Sequence, residues 1–145
     1  MMDRELVTRK ARMILQDLDH LNRLTDKGEE GFLADPVHSV LAERYLERII
    51  GRMIDINYHL LTTAGDGPPS DYFQSFTALA GLGVLPPGFA RQLAPGAGLR
   101  NRLVHEYDEL DPTRIYGAMA RARTEVSEYL RHIQAFLDRQ FQDAE

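Results

Sequence analysis

The stretch Val40-Leu41-Ala42-Glu43-Arg44-Tyr45-Leu46-Glu47-Arg48-Ile49-Ile50-Gly51-Arg52-Met53-Ile54-Asp55-Ile56-Asn57-Tyr58-His59-Leu60-Leu61 decides the fold. Leu41, Tyr45, Ile49, Met53, Ile56 and Leu60 recur at three- and four-residue intervals, one stripe of a 3.6-period helix. Val40, Ile50, Ile54 and Leu61 widen that stripe, as expected of a central helix packed on more than one side. Asp35-Pro36 supplies an N-cap and a first helical residue, and Gly65-Asp66-Gly67-Pro68-Pro69 ends the run.

Helical periodicity continues in both directions. Upstream, Val7, Ala11, Ile14, Leu18 and Leu21 form a single stripe, predicting a helix from about Asp3 to Lys27 that stops near Gly28. Downstream, Ser70 or Asp71 caps a short helix bearing Tyr72, Phe73, Phe76, Leu79 and Leu82. Pro86-Pro87 opens a fourth, which Pro95-Gly96-Ala97-Gly98 is expected to kink or break before it resumes at Leu99. Asp111-Pro112 starts the last, carrying Ile115, Met119, Val126, Leu130, Ile133 and Leu137. No alternating run flanked by hairpin turns competes. The expectation is an all-α bundle of about five helices, three of them long, in a single domain spanning 1–145.

The chain has 17 basic and 22 acidic side chains, a formal net charge of −5. Acidic balance argues against constitutive, extended nucleic-acid binding, because phosphate attraction dominates such affinity. Arginine is nonetheless far commoner than lysine, which occurs only at Lys10 and Lys27. The absence of cysteine excludes disulfides, thiolate zinc sites and cysteine nucleophiles. The charged start and the lack of a long apolar run predict a soluble, cytoplasmic protein with no membrane partner.

One segment departs from the bundle pattern: Leu99-Arg100-Asn101-Arg102-Leu103-Val104-His105-Glu106-Tyr107-Asp108. At about 100° per residue, Leu99, Leu103 and Leu110 share the core side. Asn101, His105 and Asp108 fall almost opposite, with Arg100 and Tyr107 on the flank beside them. This polar arc has the parts for phosphoryl transfer. Histidine moves protons near neutral pH, arginine forks onto a phosphate transition state, and an asparagine at i−4 can hold the imidazole or the phosphate. The residues alone, without a resemblance, favour a solvated face or a partner contact.

Arg100-Asn101-Arg102-Leu103-Val104-His105-Glu106-Tyr107 resembles the R-N-x-x-x-H-x-Y signature of HepT toxins in the HEPN superfamily. The likeness extends to the opening helix, to the second helix with Asp55-Ile56-Asn57-Tyr58-His59-Leu60, to the Tyr72-Phe73 helix and to the long closing helix. The resemblance implies a HEPN-like helical bundle that acts as a homodimeric, metal-independent endoribonuclease, with two motifs facing each other across a two-fold axis. By that likeness Arg100 and His105 are the catalytic pair and Asn101 positions them. Tyr107 matches the tyrosine that a MntA-like minimal nucleotidyltransferase antitoxin modifies with AMP. No cofactor is implied, and the substrate is RNA. Arg102 stands at a variable place in the motif, either a phosphate contact or a solvent-facing side chain. The Pro95–Gly98 approach is looser than a continuous helix. The alternative reading is a non-catalytic helical partner that presents substrate to a nucleotidyltransferase; a purely structural dimeric bundle leaves the polar arc unexplained.

Other candidates carry less. Asp55 and His59, at i and i+4, read as a hydrogen-bonded pair in the bundle rather than metal ligands, since no third ligand lies near in sequence. Arg44, Arg48 and Arg52 form a ridge that Glu43, Glu47 and Asp55 are expected to neutralise. His20, His38 and His132 read as isolated surface residues.

Overall fold

Four aspartates start helices by accepting a backbone N–H: Asp3 from Leu6 (3.0 Å), Asp35 from Val37 (3.0 Å), Asp71 from Gln74 (2.7 Å) and Asp111 from Thr113 (3.0 Å). Each satisfies a donor that the first helical turn leaves without a partner. The computed structural model describes residues 2–105 and 110–142. It comprises α1 (Arg4–Thr25), α2 (Gly28–Leu33), α3 (Pro36–Ala64), α4 (Tyr72–Gly81), α5 (Pro87–Leu93), α6 (Gly96–His105) and α7 (Pro112–Gln142). No strand occurs among the described residues, and no helix is long and apolar enough to cross a membrane.

The all-α expectation holds, with seven helices among the described residues in place of about five. Two local features account for the difference. Gly28, at φ 75°, turns the chain out of α1 into the six-residue α2. That helix is anchored by Phe32, which is fully buried between His38 and Tyr116. The expected kink falls at Ala94-Pro95, where proline has no N–H to continue the ladder. The chain resumes as α6 at Gly96, three residues earlier than predicted.

Helix α3 is central and packs on α1, α4, α6 and α7. Ile49, Met53, Ile56 and Leu60 of its stripe are buried, as are Ile50, Ile54 and Leu61. The stripe outruns the bundle at its N-terminal end, where Val40 and Leu41 are exposed.

A buried polar chain ties α7, α3 and α4 together. The Tyr129 hydroxyl donates to Asn57 Oδ1, Asn57 Nδ2 donates to Ser75 Oγ (3.2 Å), and Ser75 Oγ donates to the Tyr72 carbonyl (2.7 Å). Asn57 and Ser75 are fully buried, so these bonds replace the water each group gives up on folding. They also set the N-terminal turn of α4, and hence the place of Tyr72.

Candidate active site and nucleic-acid interface

Helix α6 lays Leu99 and Leu103 against the core and leaves Asn101, Arg102 and His105 exposed. Asn101 and His105, four residues apart, lie within about 40° of each other around the helix. Arg100 behaves differently. It is half-buried, and its guanidinium sits 5.2 Å from the ring centroid of Tyr72 on α4, a cation–π contact. Arg100 and His105 are five residues apart, which places them about 140° apart around the helix and roughly 7.5 Å apart along it. The outward arc expected from sequence therefore holds for Asn101 and His105, whereas Arg100 turns toward α4. Tyr107 and Asp108, together with Glu106 and Glu109, lie outside the described residues.

Arg100 opens into a groove of about 520 Å³ between α1, α3, α4 and α6, lined also by Lys10, Asp55, Tyr58 and Tyr72. Lys10 Nζ is 2.9 Å from Asp55 Oδ2. Tyr58 meets Tyr72 edge-on, with centroids 6.0 Å apart and ring planes at 79°. Desolvation, helped by Tyr72 and Asp71, raises the Tyr58 phenol above its usual range, so its hydroxyl remains a donor. Arg100 has no ion pair among the described residues.

On its other flank α6 borders a larger cavity of about 1000 Å³ between α3 and α7, with an apolar floor that includes Ile49, Phe76 and Ile115. Arg102, Arg114 and Arg121 line this cavity and are exposed.

The remaining candidates separate. Asp55 and His59 do not bond each other: Asp55 holds Lys10, while His59 Nε2 accepts the Asp3 backbone N–H at 2.9 Å. Both look toward α1, so the expected pair is replaced by two cross-helix ties. No cluster of three metal-ligating side chains occurs among the described residues. In the arginine ridge Arg44 meets an expected partner, Glu47, at 3.2 Å. Arg48 and Arg52 instead converge on Asp17 of α1, whose side chain is 4% exposed. A charge 31 to 35 residues away in sequence gives no periodic signal, so this neutralisation is tertiary. His20 stacks on Tyr45, and His38 stacks on Phe32. Sequence reasoning missed Lys10, Tyr58 and Tyr72 as neighbours of Arg100, because only the packing of three other helices around α6 brings them there.

The described residues thus form an all-α bundle that carries Arg100, Asn101 and His105 on one short helix. The ribonuclease HepT-like family profile matches residues 14–133. A tRNA nuclease HepT from Aphanizomenon flos-aquae is 34% identical over 132 residues, which cover 91% of this chain and 90% of that protein. Among solved structures, the tri-AMPylated Shewanella oneidensis HEPN toxin in complex with MNT antitoxin superposes with a TM-score of 0.81. That match has 22% identity and covers 92% of this chain and 99% of the other. A mutant MntA–HpeT toxin–antitoxin complex gives a TM-score of 0.79 at 23% identity, covering 90% and 98%. The chain belongs to the ribonuclease HepT-like family.

Proposed function

We propose that this chain is an endoribonuclease toxin of a type VII toxin–antitoxin pair, acting in the cytoplasm as a homodimer. The observation that carries the reading is the exposed Asn101–His105 face, one residue from Arg100, on a chain of the ribonuclease HepT-like family. The tRNA nuclease at 34% identity supports RNA as the substrate.

The reaction is in-line transphosphorylation. A ribose 2′-hydroxyl attacks the adjacent phosphorus and gives its proton to the His105 imidazole. The bond to the 5′-oxygen breaks, and that oxygen takes a proton from an imidazolium on the opposite side. The products are a 2′,3′-cyclic phosphate and a 5′-hydroxyl. Arg100 stabilises the negative charge of the pentavalent transition state, and Asn101 holds the imidazole or a phosphate oxygen. In-line geometry places the base and the acid on opposite sides of phosphorus. One chain offers a single motif histidine, so two copies facing each other supply both. The separation of Arg100 and His105 around α6 favours the same arrangement.

Neutralisation is proposed to come from a MntA-like nucleotidyltransferase antitoxin, through AMP transfer to Tyr107, complex formation, or both. An adenylyl group there adds negative charge and bulk two residues from His105 and repels RNA. The solved HEPN toxin that is tri-AMPylated and bound to an MNT antitoxin supports this regulation.

The test is expression and purification of the wild type beside His105→Ala and Arg100→Ala. Wild-type protein is expected to arrest growth and to cut RNA to cyclic-phosphate ends, and both variants to do neither while keeping their helical circular dichroism. Variants as toxic as the wild type refute the nuclease. Intact-mass analysis after co-expression with the antitoxin checks Tyr107: an AMP increment on its peptide is expected, and a stable inhibited complex without it leaves sequestration as the mechanism.

A further inference from the structure

We propose that the groove beside Arg100 is a nucleotide subsite, in which one base of single-stranded RNA next to the cleaved bond lies against Tyr58 and Tyr72. The inference rests on the ribonuclease reading and deepens it. Four observations converge on this groove. It holds Arg100, which has no ion pair among the described residues, near a Lys10 that is paired with Asp55. It presents two tyrosine rings, one half-buried and one 37% exposed, beside those cations. Its volume of about 520 Å³ falls within the roughly 300–1,000 Å³ of small-ligand pockets. Its wall includes Gly51, in the middle of α3, where an added Cβ meets nothing within 4 Å.

The glycine is informative. A glycine inside a helix is less favourable than alanine, and no steric demand of the fold requires one here. What Gly51 provides is open space beside Arg100. Single-stranded RNA is recognised by cations that follow the backbone and by aromatic rings or guanidinium planes on which bases stack. The Arg100 guanidinium already sits over the Tyr72 ring, 5.2 Å from guanidinium carbon to ring centroid. A base lies against Tyr72 or Tyr58, while its phosphate meets Arg100 and Lys10. The groove thus gives the motif arginine a neighbouring site that selects which nucleotide flanks the scissile bond.

The experiment measures binding of a fluorescein-labelled single-stranded RNA by anisotropy on His105→Ala protein, in which the RNA stays intact. Gly51→Leu is added to fill the groove, and abasic nucleotides are walked along the RNA. Loss of a base–aromatic stack corresponds to about 5- to 150-fold in affinity. Gly51→Leu is expected to weaken binding within that range while the melting temperature holds or rises. One abasic position is expected to weaken binding to the His105→Ala protein similarly, but to add little once Gly51→Leu is present. Tyr58→Leu, at a half-buried ring, is expected to show the same non-additivity, and it serves as the second variant if Gly51→Leu lowers the melting temperature. Unchanged RNA affinity in Gly51→Leu, or abasic penalties that add fully in both variants, overturns the subsite. A Gly51→Leu protein that binds RNA normally but has an altered dimer dissociation constant assigns the groove to a protein contact and also overturns it. Cleavage by the wild type is scored separately: an active enzyme with additive penalties retains the ribonuclease and discards the groove.

Discussion

The Tyr129 hydroxyl lies 2.6 Å from Asn57 Oδ1, both side chains fully buried between α7 and α3. The same hydroxyl is 3.1 Å from the Met53 carbonyl, so one proton serves two acceptors. Tyr129→Phe leaves Asn57 Oδ1 without its donor, and the expected cost is about 1–3 kcal/mol in urea unfolding. Burial also raises the Tyr129 phenol well above 10.0, its ordinary value. In the unfolded chain it ionises near 10, so above that pH the folded state holds more protons and stability falls as pH rises. The contribution is fully present below about pH 10 and is lost as pH climbs toward the folded value. Tyr129→Phe is expected to be less stable at pH 8 and to decline less steeply above pH 10. An equally steep decline defeats the assignment.

Asp17 gives a second stability test. Its nearly buried carboxylate receives both Arg48 and Arg52, and Arg52 is itself only 17% exposed. Asp17→Asn keeps the volume but strands two guanidinium groups. The expected loss is about 3 kcal/mol, the lower end for a broken buried pair, because Arg48 is 40% exposed. Arg48→Gln leaves the Asp17–Arg52 pair intact and is expected to cost about 1 kcal/mol or less. Equal losses from the two substitutions contradict the arrangement.

Catalysis is expected to respond to α6 without a loss of fold. His105 is exposed, so His105→Ala removes general acid–base chemistry, worth about 10²–10⁴ in rate, at little cost to the melting temperature. Arg100→Lys keeps the charge but loses the planar fork. It is expected to lower kcat by about 10²–10³, the scale of one lost transition-state donor. Wild-type kcat in Arg100→Lys rejects the role given to that side chain. The readout is single-turnover cleavage of a defined RNA.

Arg102 separates a phosphate contact from a solvent-facing side chain. A contact to single-stranded RNA steepens the dependence of log affinity on log salt by about 0.7 per phosphate. Arg102→Gln on the His105→Ala protein is expected to flatten the slope by about that amount, uniformly across RNA sequences. An unchanged slope assigns Arg102 to solvent.

Legibility from sequence followed the range of the interaction. The stripes of α1, α3 and α7 were readable because each buries apolar positions that recur over many turns. Asp35 and Asp111 were readable because a cap acts within two or three residues. Helix α2 was not, since six residues with one anchoring ring, Phe32, make no period. The motif residues were visible as a local pattern, yet the turn of Arg100 toward Tyr72 was not. That contact depends on α4, whose first turn is held by Ser75 and Asn57 through bonds that link three helices. Asp17 was invisible as a partner of Arg48 and Arg52 for the same reason.

The 140° between Arg100 and His105 on α6 has a consequence for dosage. If, as proposed, two copies of the helix complete one reaction centre, activity is second order in chain concentration wherever monomers predominate. Halving the amount of free protein then removes about three-quarters of the cutting, and an inhibitor that occupies one copy silences two. On that proposal, scarcity itself becomes a safeguard beside the antitoxin.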